Sequence, residues 1–216
     1  IVFHRRLTVG FRAAMVSLLS LTGNLSAADT QGPILVEAEG FGDVGGWVVD
    51  PQFMDQMGSP YLLAHGLGIP VKDATTEVSI PKAGSYKVWV RTKDWVAQWK
   101  APGTPGKFQL LVNGKPLKTT FGTVGADWHW QDGGKIDLPQ GKLKLALHDL
   151  TGFEGRCDAI VFSNDPDFTL PNKDPEMAAF RRRCLGLPEK PEPAGEFDLV
   201  VTGGGIGGIC AAVTAA

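Results

Sequence analysis

Three glycines near the end of the sequence have the spacing that holds a phosphate group. Gly203, Gly205 and Gly208 form the pattern G-x-G-x-x-G, which follows the apolar run 199–201 and precedes an Ala-rich stretch. Such glycines allow a tight turn from strand to helix, close approach of a pyrophosphate, and close packing of helix on strand. Free N–H groups at the helix start then point at the phosphate. The pattern predicts a dinucleotide-binding strand-turn-helix unit over 197–216, with a coincidental glycine-rich turn as the alternative.

The same stretch resembles a known family. The sequence EFDLVVTGGGIGGICAA is similar to the amino-terminal fingerprint of FAD-dependent oxidoreductases of the glutathione-reductase-like class. The resemblance implies a Rossmann-like domain, an FAD pyrophosphate held by Gly203, Gly205 and Gly208, and hydride transfer between a substrate and the flavin. It covers residues 197–216 alone, without the acidic residue that would hold the ribose and without a substrate domain. We therefore expect the front end of a longer enzyme, inactive as a fragment, with catalytic residues unknown.

Short β-strands are the elements that the rest of the sequence indicates. Between residues 33 and 165, polar and apolar side chains alternate in runs that Gly, Pro and Asn separate. In GSYKVWVRT, for example, Val88 and Val90 are expected on one face of a strand. Asn113 and Gly114 lie between two such runs and predict a hairpin. The pattern predicts a mainly β fold, an antiparallel β-sandwich with one core.

This segment resembles a family of its own. The stretches ILVEAEGF, IPKAGSYKVWVRT, LPQGKLKLALHD and GRCDAIVFSND are similar to jelly-roll carbohydrate-binding modules that begin with Glu-Ala-Glu and end on a strand with Asp. The resemblance covers most of residues 33–165 and implies a polysaccharide or glycan partner. It also implies a structural calcium ion bound by Glu37, Glu39 and Asp158, beside the first and last strands. Hard oxygen donors suit Ca²⁺; the alternative is that these acids face water on an edge strand.

Sugar binding by such a module needs exposed aromatic side chains. Trp95 and Trp99 occur in a Pro- and Gly-rich segment that predicts a loop, and Trp128 and Trp130 flank His129 in GADWHWQDGG. Loop tryptophans can stack on the apolar face of a pyranose ring. All four are candidate ligand-binding residues. The alternative is that these large aromatics fill the core or plug the ends of the sandwich.

Other chemistry finds little support in the sequence. The sandwich segment has no Ser/His/Asp order, no evident pair of carboxylates in a cleft and no helical His-x-x-x-His. Cys157, Cys184 and Cys210 are odd in number and far apart, which argues against a disulfide framework and against metal-ligand spacing. A net charge of −2 with 20% charged residues gives no indication of a nucleic-acid partner.

Residues 1–28 have the layout of a secretory signal peptide. Arginines precede the short apolar stretch 13–21, and small residues follow up to a plausible cleavage site after Ala28. The apolar stretch is shorter than the ~20 residues that span a bilayer. We expect export to the periplasm or the extracellular space without a transmembrane anchor, by the Sec route or, if Arg5-Arg6 is a twin-arginine signal, by that route. The alternative is an amphipathic helix of the folded domain.

The composition changes again in residues 166–196. The stretch DPEMAAFRRRCLGLP predicts a short helix with Asp174 as N-cap and Pro175 in the first position, ending near Gly186. The arginine triplet 181–183 is expected on its solvated face. The stretch PEKPEPAGE then predicts a Pro-rich, semi-rigid linker.

Three functions follow from these patterns. The sandwich is an accessory module of an exported flavoenzyme, or a polysaccharide-binding module in its own right, or a structural domain that docks on an enzyme and touches no sugar.

Overall fold

The computed structural model describes residues 32–190, 192–193, 195–196, 199–201 and 205–215. The predicted signal peptide at 1–28 and Gly203 lie outside the described residues. In chain order the described strands are β1 Ile34–Glu37, β2 Val48–Asp50, β3 Tyr61–His65, β4 Ala74–Ile80, β5 Gly84–Thr92, β6 Phe108–Val112, β7 Lys115–Pro116, β8 His129–Leu138, β9 Gly141–Asp149, β10 Phe153–Cys157 and β11 Ala159–Ser163. The helices are α1 Met54–Met57, α2 Glu176–Cys184 and α3 Ile206–Ala215, with 3₁₀ turns at Ala38–Gly40 and Ala97–Trp99.

The strands form antiparallel sheets, which confirms the mainly β part of the predicted fold class. The first sheet has the order β1-β11-β5-β8, the second β4-β9-β6-β7 and the third β10-β3-β2. Strands distant in sequence are neighbours in each sheet, an arrangement consistent with a jelly-roll sandwich. In the first sheet Ile34 lies opposite Phe162 and Glu37 opposite Ala159. The first and last strands of the sandwich therefore lie side by side.

The core lies between the first and second sheets. Val88 and Val90 of β5 and Ile160 of β11 contribute to it from one side, and Leu110 and Leu145 from the other, all fully buried. The alternation predicted for β5 and β9 is confirmed, because period-two strands direct one set of side chains inward. These inward side chains fix which face of each strand is buried.

The predicted hairpin is present between β6 and β7. Asn113 has a φ of 49° and Gly114 a φ of 77°. Positive φ at both central residues defines a type I′ turn, whose twist matches that of the flanking strands. The Asn113 side chain also accepts a hydrogen bond from the Lys144 amide at 3.0 Å, which ties the hairpin to β9.

Strand β8 is an element that the sequence patterns did not indicate. Gly133 and Gly134 interrupt its alternation, and the pairing with β5 shifts register between Val88 and Trp89. A Cβ atom added at Gly133 would lie 3.2 Å from both the Phe121 ring and the Val88 carbonyl. The glycines thus belong to a bulge packed against the core. Trp130 consequently lies in a strand rather than in a loop.

A helix lies where the sequence predicted one after the sandwich. The Asp174 side chain accepts a hydrogen bond from the Ala178 amide at 3.1 Å near the start of α2. Met177 and Phe180 pack on Trp89 and Val161, on the face of the first sheet that points away from the core. Helix α2 therefore covers this outer face.

The carboxyl-terminal region contains a helix at the glycine pattern that predicted a dinucleotide-binding unit. Helix α3 begins directly after Gly205, as the fingerprint requires. Residues 199–201 are exposed and form no strand in the part of the chain that the structure describes. A parallel strand needs a hydrogen-bonded neighbour, and the described residues supply none there. The Rossmann-like domain stays a prediction.

Among the described helices, none is long and apolar enough to cross a bilayer.

Candidate functional site

Trp95 and Trp99 lie with Phe153 in one exposed group of rings, here called the aromatic platform. The ring centroids of Trp95 and Trp99 are 5.9 Å apart, with the planes near perpendicular at 77°. The centroids of Trp95 and Phe153 are also 5.9 Å apart, with planes 25° from parallel. Trp99 is 64% exposed and Phe153 43%, whereas Trp95 is half-buried. The platform therefore presents a wide aromatic surface to solvent.

Trp95 is the fixed member of the platform. Its indole N–H donates to the Phe153 carbonyl at 3.1 Å, and the Arg156 guanidinium lies 5.4 Å from its ring centroid. Arg156 is itself held by donation to the Glu154 carbonyl at 2.8 Å. Trp99 ends a 3₁₀ turn and projects from this support. A rigid support of this kind reduces the ordering entropy lost when a ligand binds.

The platform continues into further apolar surface. Leu67 and Ile69 are both strongly exposed, and a Cβ atom added at Gly68 would lie 3.9 Å from the Phe153 ring. His65, which ends β3, contacts the carboxylate of Glu154 through its ring nitrogen Nδ1, and Glu154 follows Phe153 in β10. The aromatic surface thus has an apolar extension and polar groups beside it.

Trp128 and Trp130 lie elsewhere and are largely withdrawn from solvent. Trp128 is 5% exposed and its ring centroid lies 5.0 Å from that of Tyr61 in a small core of its own. Trp130 is half-buried, and its indole N–H donates to the Pro171 carbonyl at 2.8 Å. Of the four candidate tryptophans, the structure therefore brings Trp95 and Trp99 together, and it uses Trp128 as a core residue.

The carboxylate cluster, formed by Glu37, Glu39 and Asp158, converges as predicted but around cations that belong to the protein. Asp158 is fully buried, and one of its oxygens lies 2.8 Å from nitrogens of both Arg91 and Arg181. Arg181 Nε lies 2.9 Å from Glu37 Oε1. The alternative of three acids facing water is wrong, because Asp158 is inaccessible and Glu37 is only 14% exposed.

Glu37 and Glu39, two residues apart in sequence, lie in different elements. Glu37 ends β1, whereas Glu39 lies in the 3₁₀ turn that follows. Asp158 lies between β10 and β11, where its amide donates to the Arg91 carbonyl and its carbonyl accepts from the Ala38 amide, both at 2.9 Å. Backbone pairing, rather than strand periodicity, therefore brings the three carboxylates together.

Burial dominates the electrostatics of the cluster. It raises the pKa of Glu39 to about 7, and one oxygen of that carboxylate is buried without a hydrogen-bond partner. Burial also raises the pKa of Glu37, against the opposing charge of Arg181. Burial alone would lower the pKa of Arg181, but the charges of Asp158 and Glu37 outweigh it and raise that pKa.

The oxygen atoms of the carboxylate cluster are arranged differently from the ligands of a calcium ion. Ca²⁺ takes six to eight oxygen ligands, but Glu37 and Asp158 face guanidinium groups in place of a shared centre. In the described part of the chain no group of three or more His, Cys, Asp or Glu side chains is arranged to hold a metal. The arrangement does not fit a divalent cation, and calcium binding by the cluster stays a prediction.

The structure describes the glycine fingerprint only in part. A Cβ atom added at Gly205 would have nothing within 4 Å. Gly208 lies inside α3, and Gly203 is outside the described residues. FAD binding by these residues therefore stays a prediction.

Among known proteins, similarity is found at the level of structure. No family model matches the chain. No curated protein matches it. The solved structures that resemble it include carbohydrate-binding modules of families 35 and 6.

Three of these structures span a range of contexts. The Podospora anserina GH26-CBM35 β-(1,4)-mannanase is 18% identical with a TM-score of 0.49, over 63% of this chain and 29% of that one. A family 35 module from Clostridium thermocellum is 21% identical with a TM-score of 0.47, over 61% and 98%. The C-terminal CBM6 of LamC from Zobellia galactanivorans is 15% identical with a TM-score of 0.46, over 62% and 100%. The chain thus spans less than a third of the mannanase and nearly all of each separate module.

Proposed function

We propose that the sandwich is a polysaccharide-binding module and that the aromatic platform is its binding surface. The observation that supports this most strongly is Trp99, whose large indole projects into solvent beside the braced ring of Trp95. A contiguous exposed apolar patch, unlike a single exposed apolar residue, is typical of a binding surface. The apolar face of a pyranose can cover such rings, while its hydroxyls reach polar groups at the edge.

The size of the effect follows from buried area. A sugar ring that covers about 60 Å² of the Trp99 indole gains about 1.5 kcal/mol at ~25 cal/mol per Å². That free energy corresponds to roughly a tenfold change in Kd. A single exposed tryptophan is thus enough to decide whether weak binding to a polysaccharide is detectable.

Retention of the purified protein on a panel of insoluble polysaccharides tests this function. We expect retention on at least one polysaccharide and loss of that retention in Trp99→Ala. Leu187→Ala, an exposed apolar residue that follows α2, is the control and should bind as the original protein does. Failure to bind any member of the panel would favour the structural-domain alternative instead.

A second candidate function concerns the carboxyl-terminal unit, and a specific observation favours it. Helix α3 has no charged residue, and Ile206, Ile209 and Val213 are all strongly exposed. A helix that is apolar all round is typical of one buried inside a larger domain. We infer, as this second candidate, an FAD-dependent oxidoreductase unit in which Gly203, Gly205 and Gly208 lie against the pyrophosphate.

Flavin content of the parent enzyme tests the second candidate. Gly205→Val places a side chain where the pyrophosphate would approach, so bound FAD should fall strongly. Gly207→Val makes the same change outside the fingerprint positions and should retain flavin. Equal flavin content in the two variants would contradict the assignment.

The proposal also includes export of the protein from the cytoplasm. A polysaccharide-binding protein meets its ligand outside the cytoplasm, and residues 1–28 have the layout of a signal peptide. The exported protein should begin near Asp29, which intact-mass measurement would show. An exported protein that still has residues 1–28 would contradict the signal-peptide assignment.

A further inference from the structure

The carboxylate cluster needs positive charge inside the protein. Glu37, Glu39 and Asp158 are brought close together by the pairing of the first and last strands, and Asp158 has no access to solvent. Like charges at such positions repel, and a buried carboxylate is unfavourable unless it is paired. Something must therefore supply cations at this corner of the sandwich.

The first cation comes from within the first sheet. Arg91 of β5 is almost fully buried, and its Nη1 lies 2.8 Å from Asp158 Oδ2. Its other nitrogens donate to Asn172, to the side-chain oxygen at 3.3 Å and to the carbonyl at 3.2 Å. Arg91 is thereby fully committed and pairs with Asp158 alone among the three acids.

The second cation comes from outside the sheets, on helix α2. The Arg181 guanidinium lies against both Asp158 and Glu37 and also donates to the Met57 carbonyl. Arg181 is one turn after Met177 and next to Phe180, the two side chains that pack on the sheet. The helix face that supplies the apolar contact therefore also delivers the charge.

The neighbouring arginines behave differently. Arg182 and Arg183 are both exposed, and Arg182 donates to the Glu189 carbonyl at 2.8 Å. Of the three consecutive arginines, one is therefore buried in the protein and two are exposed to solvent. A general electrostatic attraction between the helix and the sandwich would act on all three arginines alike. A specific contact with buried carboxylates explains why Arg181 is buried and its two neighbours are exposed.

We propose that Arg181 is a built-in counter-ion of the carboxylate cluster, which locks α2 onto the sandwich and, with Arg91, balances the charges of Glu37 and Asp158 without a divalent metal ion. The folded module then extends through α2 instead of ending after β11. With two guanidinium groups facing three carboxylates, a divalent cation would bring excess positive charge against Arg181. This inference does not depend on glycan binding by the aromatic platform.

Thermal unfolding of matched variants tests the proposal. Arg181→Gln leaves Glu37 without its ion-pair partner and Asp158 with Arg91 alone, so Tm should fall by roughly 6–15 °C. Arg183→Gln makes the same substitution two positions away, with similar helix propensity, and Tm should stay within about 1 °C of the original value. Equal Tm values for the two variants would overturn the proposal.

Calcium gives the second arm of the test. The original protein should melt at the same temperature in EGTA and in excess CaCl₂, and calorimetric titration with CaCl₂ should show no binding at the cluster. A calcium-dependent rise in Tm that Glu37→Gln abolishes would overturn the proposal and support the calcium site instead.

A third measurement covers the case in which Arg181→Gln does not fold. Arg181→Lys keeps the charge but loses the planar fork that contacts two carboxylates. Trypsin should then cut after Arg182 and Arg183 faster than in the original protein, because α2 is held less firmly. Unchanged cleavage in Arg181→Lys, together with unchanged Tm, would show that Arg181 does not lock the helix.

Discussion

Asp158 is the residue at which the two ends of the sandwich meet. Its side chain pairs with Arg91 and Arg181, and its backbone bonds to both Arg91 and Ala38. A buried charge favours the one arrangement in which its partners surround it, because any other arrangement leaves a buried ion unpaired. The cluster thus fixes how the first and last strands meet.

We expect Asp158→Asn to lower the unfolding free energy by about 3–5 kcal/mol, the usual effect of breaking a buried ion pair from one side. The substitution is nearly isosteric, so the loss reflects charge and not volume. Urea unfolding in EGTA measures it. Asp137→Asn, on the exposed side of β8, is the control and should change stability by less than about 0.5 kcal/mol. Equal stability of the two variants would contradict the role given to Asp158.

Glu39 gives a pH-dependent prediction. Its pKa is raised from 4.5 to about 7 in the folded protein, so the folded state binds the proton more tightly than the unfolded state. The contribution of Glu39 to stability is therefore full below pH 4.5 and is lost as pH rises through about 7. Glu39→Gln should be more stable than the original protein at pH 8, and the difference should shrink towards pH 4.5. A difference that does not change with pH would contradict this assignment.

At the scale of residues, sequence reasoning located part of the cluster and missed its cation. The Glu-Ala-Glu motif and the late Asp predicted that Glu37, Glu39 and Asp158 converge. The arginine triplet was expected on a solvated face, which is wrong for Arg181. Helical spacing from Met177 could have indicated this, since residues four apart share a face. The local sequence pattern does not show, however, which part of the protein this helix face packs against.

Strands with uninterrupted alternation were the most predictable elements. Strands β5 and β9 match the predicted runs because apolar side chains are buried at period two, Val88 and Val90 in β5 and Leu143, Leu145 and Leu147 in β9. The second half of β5 is buried on both faces, which alternation alone does not predict. Strand β8 was missed because Gly133 and Gly134 remove two side chains from the pattern and form a bulge. The bulge depends on tertiary packing against Phe121, which a local window does not contain.

The hairpin offers a prediction at the same scale. Gly114→Ala should lower the unfolding free energy by about 1 kcal/mol, because alanine is strained at its φ of 77°. No atom lies within 4 Å of the added methyl group, so the effect is one of backbone conformation alone. Gly84→Ala adds a methyl group to equally open space at the start of β5 and should be close to neutral. Denaturant unfolding of both variants measures the difference, and equal values would argue against the type I′ turn.

Helix α2 shows how an element can be predicted without its role. Proline and aspartate at its start indicated a helix near the observed Glu176–Cys184. The sequence placed this helix in the segment 166–196, separate from the sandwich at 33–165. In the structure Trp89 and Val161 are covered by this helix. A sheet with apolar residues on both faces needs a layer packed against each face. Trp89, on the outward face of β5, was only a weak indication of such a layer in the sequence.

At the scale of the whole molecule, the sandwich is the part that the structure establishes. Its mainly β architecture followed from composition and periodicity, since turn residues and alternation recur throughout 33–165. The glycan surface was only partly predictable: the sequence nominated four tryptophans, and tertiary structure separated Trp95 and Trp99 from the two that are withdrawn. Phe153 was not nominated, because its place beside Trp95 depends on how β10 meets a distant loop.

The proposed flavin-binding unit is not established by the residues that the structure describes. Its helix is observed, but a complete dinucleotide site needs several parallel strands and an acidic residue beyond the fingerprint. The proposal of an oxidoreductase parent therefore remains separate from that of the sandwich, and each can fail without the other.

Titration of the original protein and Trp99→Ala with soluble fragments of the polysaccharide that retains the protein tests the central claim most directly. If the aromatic platform binds glycan, Kd should rise at least about tenfold in Trp99→Ala, and Trp99→Phe, which keeps a smaller ring, should lie between the two. Thermal unfolding of all three should coincide, because Trp99 is largely exposed. Equal Kd values for the original protein and Trp99→Ala would contradict the account and move the binding surface away from the platform.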